Sequence, residues 1–64
     1  MRYWIGVRVK APGSKWVATP YEDRERALAS YNNRKVQMDM QVVPPFTAED
    51  EAEAVRYLIA TNPN

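Results

Sequence analysis

Residues 2–21 read RYWIGVRVKAPGSKWVATPY, and the rest of the 64-residue chain is arranged around how they pair. Tyr3, Ile5, Val7 and Val9 alternate with Trp4, Gly6, Arg8 and Lys10, the period of two of a half-buried strand. APGS follows. Pro12 presets φ for the first central position of a turn, and Gly13 supplies the positive φ that a type II turn needs at the second. KWVATPY is then a second strand, and the stretch forms a β-hairpin. Setting Lys10 opposite Lys15 pairs Val9 with Trp16 and Val7 with Ala18, all on the face of Ile5.

After the hairpin, two helix starts compete. TPYE has the pattern of a capping box, with Thr19 as cap, Pro20 in the first helical position and Glu22 three residues on. Alternatively Asp23 caps RERALASYNN, which leaves two strands of matched length and is preferred for that reason. Ala27, Leu28 and Tyr31 form the apolar stripe of this helix. NNRK ends it, asparagine being tolerant of the left-handed conformation.

KVQMDMQVVPPF, residues 35–46, alternates again: Val36, Met38, Met40 and Val42 against Gln37, Asp39 and Gln41. This predicts a third strand with one buried side, terminated by Pro44-Pro45, which cannot donate to a ladder. TAEDEAEAVRYLIA opens a second helix with Thr47 as cap and carboxylates in its first turns, where the helix dipole favours them. Ala52, Val55, Leu58 and Ile59 form its buried stripe and TNPN ends it.

The predicted order is β-β-α-β-α in one compact domain spanning residues 1–64. The third strand lies antiparallel beside the first, giving sheet order 2-1-3. The fold class is a small α+β two-layer sandwich with both helices mainly on one face, because the first helix is too thin in apolar residues to shield that face alone. The other arrangement places the second helix across the opposite face.

Charge is unevenly spread. Residues 1–35 hold eight of the nine cations, and residues 36–64 hold five of the eight carboxylates, so a net charge of +1 hides a dipolar chain. Acidic residues at a helix start and solvated lysines account for part of this pattern. Hydrophobic residues at 45% support a folded chain. The chain has no cysteine, which fits a cytoplasmic protein, and no stretch resembles a signal peptide or a membrane span. A domain this small without disulfide or metal commonly gains from self-association, so a homodimer is expected, with the Val/Met-rich third strand as its pairing edge.

Without histidine or cysteine, nucleophilic triads and ordinary zinc sites are excluded. Glu49, Asp50, Glu51 and Glu53 crowd a helix start, where capping explains them. PGSK lacks the spacing of a phosphate loop. No enzyme activity, metal or cofactor is expected. In the register above, Trp4, Arg8, Lys10, Lys15 and Tyr21 lie together on the sheet face away from the first helix, with Trp4 and Tyr21 as cross-strand neighbours. Such a pair stabilises a hairpin by itself, and Trp, Tyr and Arg also dominate binding hot spots. These five residues are the candidate partner-binding surface.

The expected function is a non-catalytic protein-binding module. It docks on a larger protein and inhibits or modulates it, as adaptors and phage- or mobile-element accessory proteins of this size do. Strand-helix-strand order is similar in outline to small phage inhibitors of host enzymes, although no residue motif marks a family. The alternative is nucleic-acid or nucleotide binding through the open basic-aromatic face. Against it stand a pI of about 8.1 and Asp39 in the middle of that face.

Overall fold

A computed structural model describes residues 1–62, so the closing Pro63-Asn64 of the predicted helix stop lies outside the described residues. Strand β1 (Arg2–Val9) is followed by β2 (Val17–Tyr21), helix α1 (Arg24–Arg34), β3 (Met40–Ala48) and α2 (Glu51–Thr61). The sheet is antiparallel with order β2-β1-β3, as the alternation predicts. Between the first two strands Ser14 N–H donates to Ala11 C=O at 3.2 Å, and Gly13 has φ +80°, as a type II turn requires.

The hairpin register differs from the expected one by a single residue. Val7 faces Val17 and Gly6 faces Ala18, so Trp4 lies opposite Pro20 and Tyr3 opposite Tyr21. The type II turn sits within a connection of seven residues, 10–16, outside the ladder, so the turn does not set the pairing. With a side-chain period of two, that one-residue slip moves all of β2 to the other face relative to β1. Trp16 and Ala18 therefore join Trp4, whereas Tyr21 joins Ile5 and Val7.

The helices cover opposite faces of the sheet, which corrects the expectation that both share one. Ile5 and Val7 pack with Ala27 of α1, flanked by Tyr3, Tyr21, Tyr31, Met40 and Val42. Trp4, Trp16, Ala18 and Ala48 pack with Ala54 and Leu58 of α2. Strand β1 is apolar on both sides at Trp4 to Val7, so each side needs a cover. On the α2 side Trp4 Nε1 donates to Ala48 C=O at 3.1 Å, and Phe46 stacks on Tyr57 with centroids 4.3 Å apart.

Strand β3 departs from expectation at both ends. It begins at Met40, because residues 35–39 form two successive turns, with Gln37 N–H donating to Arg34 C=O and Met40 N–H to Gln37 C=O. The chain needs these turns to swing from the end of α1 to a start opposite Val9. It also runs through Pro44-Pro45 instead of stopping there. Trp4 faces Phe46 while Gly6 faces Val43, so Ile5 alone opposes the two prolines in a β-bulge. An edge strand with a bulge tolerates the missing donors. The extra residue also resets the phase, so that Val43 and Phe46 both face α2.

Asp23 caps α1 as predicted, its Oδ1 accepting from Arg26 N–H at 2.8 Å. That helix continues through Asn32-Asn33 to Arg34 and ends on Lys35 in a right-handed conformation, with no left-handed residue. For α2 the cap is Asp50, not Thr47: its Oδ1 accepts from Glu53 N–H at 2.9 Å. Thr47 is held in the ladder opposite Tyr3. The buried stripe of α2 is accordingly Ala54, Val55 and Leu58, with Ala52 exposed and Ile59 at its margin. Among the described residues no helix is long and apolar enough to cross a membrane.

Candidate docking surface at the hairpin end

Five residues were expected to share one open sheet face, and the structure separates them. Trp4 is buried beneath α2. Tyr21 packs on the opposite side, where its hydroxyl lies 2.6 Å from Ser30 Oγ on α1. Neither ring is free for a partner, because the register slip turned Tyr21 away and α2 covers Trp4. Arg8, Lys10 and Lys15 do come together, at the end of the sheet where β1 leads into the hairpin connection.

Topology brings further residues to the same end. Both helices start beside the Arg2/Ala48 end of the sheet and finish beside the hairpin, so α1 delivers Arg34 and its following turns deliver Lys35, Val36 and Met38. The hairpin end thus holds five cations, Arg8, Lys10, Lys15, Arg34 and Lys35, against the single carboxylate of Asp39. The opposite end carries the carboxylates of Glu22, Asp23, Glu25, Glu49, Asp50, Glu51 and Glu53, with Arg2, Arg24 and Arg26 among them. Folding sharpens a charge bias that the linear sequence shows only by halves.

None of the five hairpin-end cations has a carboxylate partner among the described residues. The ion pair found there, Arg26 to Asp23 at 3.5 Å, is at the other end and exposed. Cations at a helix C-terminus relieve the dipole, which accounts for Arg34. It does not account for Arg8, Lys10 and Lys15, which belong to the hairpin. Lys35 lies 5.3 Å from the Tyr31 ring and Arg8 4.5 Å from the Trp16 ring, neutral partners that leave the charge uncompensated.

Apolar side chains are exposed at the same end. Val9 is 47% exposed, Val17 58%, Val36 73% and Met38 90%. The alternation of residues 36–42 placed Val36 and Met38 in a core, but pairing starts only at Met40. Their exposure follows from the turns, which periodicity alone does not reveal.

Shallow recesses open on both sides of the hairpin. On the α1 side one of about 390 Å³ is floored by Val7, Val9, Val17 and Met40 and edged by Lys15 and Arg34. On the α2 side one of about 460 Å³ lies between Arg8, Ser14 and Lys15 and the apolar Trp16, Val55 and Ile59. Trp16 carries a polar irregularity: its indole Nε1–H is buried without an acceptor. Leaving such a donor unpaired costs about 1–3 kcal/mol. Among the described residues no three carboxylates gather in a way that would hold a metal ion.

Comparison with known protein families, with curated proteins and with solved structures gives no match. The functional reading therefore rests on the residues of this chain.

Proposed function

We propose that this chain is a non-catalytic protein-binding module of the cytoplasm that docks on a larger protein through its hairpin end. One observation carries the proposal: exposed Val9, Val17, Val36 and Met38 share that end with five cations that have no carboxylate partner among the described residues. A single exposed valine is ordinary on a protein surface, whereas several at one end point to an interaction site. Apolar anchors supply affinity on desolvation, and surrounding lysines and arginines steer an acidic partner and raise its association rate. Nucleic-acid binding draws less support, because it relied on Trp4 and Tyr21 as a stacking platform and these lie under different helices.

The test is capture from a lysate by the tagged chain, comparing wild type with Lys10→Glu/Lys15→Glu and with Glu22→Lys/Glu51→Lys at the other end. A defined protein retained by wild type and by the second variant, but lost by the first, is the expected result. Equal capture by all three overturns the assignment of the hairpin end. Capture that disappears on nuclease treatment replaces the protein partner with nucleic acid.

A further inference from the structure

Resting on the docking reading above, we infer that the recess between the hairpin and α2 receives a carboxylate set beside a bulky apolar side chain, both presented by a segment of the partner protein. Arg8 is the anion-binding element. Arg8 is half-buried as a residue, and its guanidinium lies 4.5 Å from the Trp16 ring and donates to Gln41 Oε1 at 2.7 Å. The stack and that bond hold the group in place, yet among the described residues it meets no carboxylate. A planar guanidinium matches the paired oxygens of a carboxylate or a phosphate, and one already held in position loses little freedom on binding, so the apolar wall beside it decides between them. Ser14 adds a hydroxyl and Lys15 a second charge at the same recess.

The remaining wall selects the neighbour of that carboxylate. Val55 and Ile59 of α2 face the cations across the recess, and Ile59 is 57% exposed. Trp16 completes the wall, and its enclosed indole N–H, which has no acceptor among the described residues, reports on changes there. A phosphate would satisfy the charge and leave Val55 and Ile59 wet. Of this chain's own carboxylates, those at the α2 start stand beside Ala52 and Ala54, whereas Asp39 stands beside exposed Met38. A second copy is therefore the competing occupant, and concentration-dependent movement of the Trp16 and Arg8 resonances without added ligand would assign the recess to it instead. The α1-side recess has apolar walls but no buried unpaired donor.

The test is a titration of the isotope-labelled chain with N-acetyl-leucine, which joins a carboxylate to a branched side chain, following the Trp16 indole N–H and the Arg8 Nε–H by NMR. Both resonances should move together and saturate at millimolar concentrations, the range a ligand of this size reaches. Leucinamide, which lacks the carboxylate, and inorganic phosphate, which lacks the side chain, should bind at least about tenfold more weakly. Ile59→Glu should abolish the response while leaving the Trp4 indole resonance in place as a folding control, and Val17→Glu on the other side should not affect it. Three further results overturn the inference: silence at Trp16 and Arg8, equal affinity for phosphate, or movement confined to Val17 and Met40. Any of these alongside partner capture that depends on Lys10 and Lys15 leaves the docking reading standing.

Discussion

Gly6 of β1 lies directly beneath Leu58 of α2: a Cβ placed on Gly6 would stand 2.9 Å from Leu58 Cδ1 and 3.1 Å from its Cγ. Leu58 is fully buried at that crossing, so the absence of a side chain at residue 6 is what lets the helix sit close to the sheet. Gly6→Ala should therefore destabilise by overpacking, by about 1–3 kcal/mol. Gly13→Ala has open space around it and costs about 1–2 kcal/mol through its positive φ alone. The discriminating measurement is the Phe46–Tyr57 stack seen by near-ultraviolet circular dichroism. Gly6→Ala should perturb it and Gly13→Ala should not.

The two tryptophans occupy one cluster but differ in their indole N–H. Trp4→Phe removes the buried hydrogen bond to Ala48 C=O, so it should cost about 0.5–1.5 kcal/mol beyond the lost volume. Trp16→Phe removes a donor that has no acceptor, and should fall within about 1 kcal/mol of wild type. Urea unfolding of both variants measures the difference. The reverse ranking would mean that Trp16 Nε1 has an acceptor in solution.

Pro45 supplies the extra residue of the bulge. Removing it leaves Phe46 two positions after Val43, so Phe46 and Ala48 keep facing α2, opposite Trp4 and Arg2. Both the deletion and Pro45→Ala, which keeps the bulge, should therefore unfold in a cooperative thermal transition. Loss of cooperativity in the deletion alone would show that the bulge itself, and not the phase, seats Phe46.

Self-association through a sheet edge should be weak. Pro20 lies in β2 and Pro44 and Pro45 in β3, so both edges lack donors for a continuing ladder, and the Val36–Met38 segment lies in turns rather than in a strand. Sedimentation over a wide concentration range should therefore give a monomer mass. A dimer that survives Val17→Lys and Met38→Lys would contradict this and restore the β3 edge as a pairing surface.

Short-range chemistry determined the elements. Period-two alternation set β1, Pro12-Gly13 set the turn, and Asp23 capped α1, because each depends on residues within a few positions of one another. The order β2-β1-β3 follows from the same local pattern plus short connections. Of the candidate surface, Arg8, Lys10 and Lys15 were legible as a basic cluster at the hairpin, since their proximity is a property of the hairpin itself.

What only the tertiary structure decided is which side each residue faces. A side-chain period of two makes the face of a strand depend on register to the single residue, and neither the seven-residue hairpin connection nor the Pro44-Pro45 bulge announces its register locally. Trp4 and Tyr21 looked like neighbours and lie on opposite faces for that reason. The position of α2 likewise came from a long-range fit, Leu58 over Gly6 and Trp4 Nε1 on Ala48 C=O, between residues more than forty positions apart. Exposure of Val36 and Met38 and the recess beside Trp16 are consequences of those choices, made by packing where local patterns were silent.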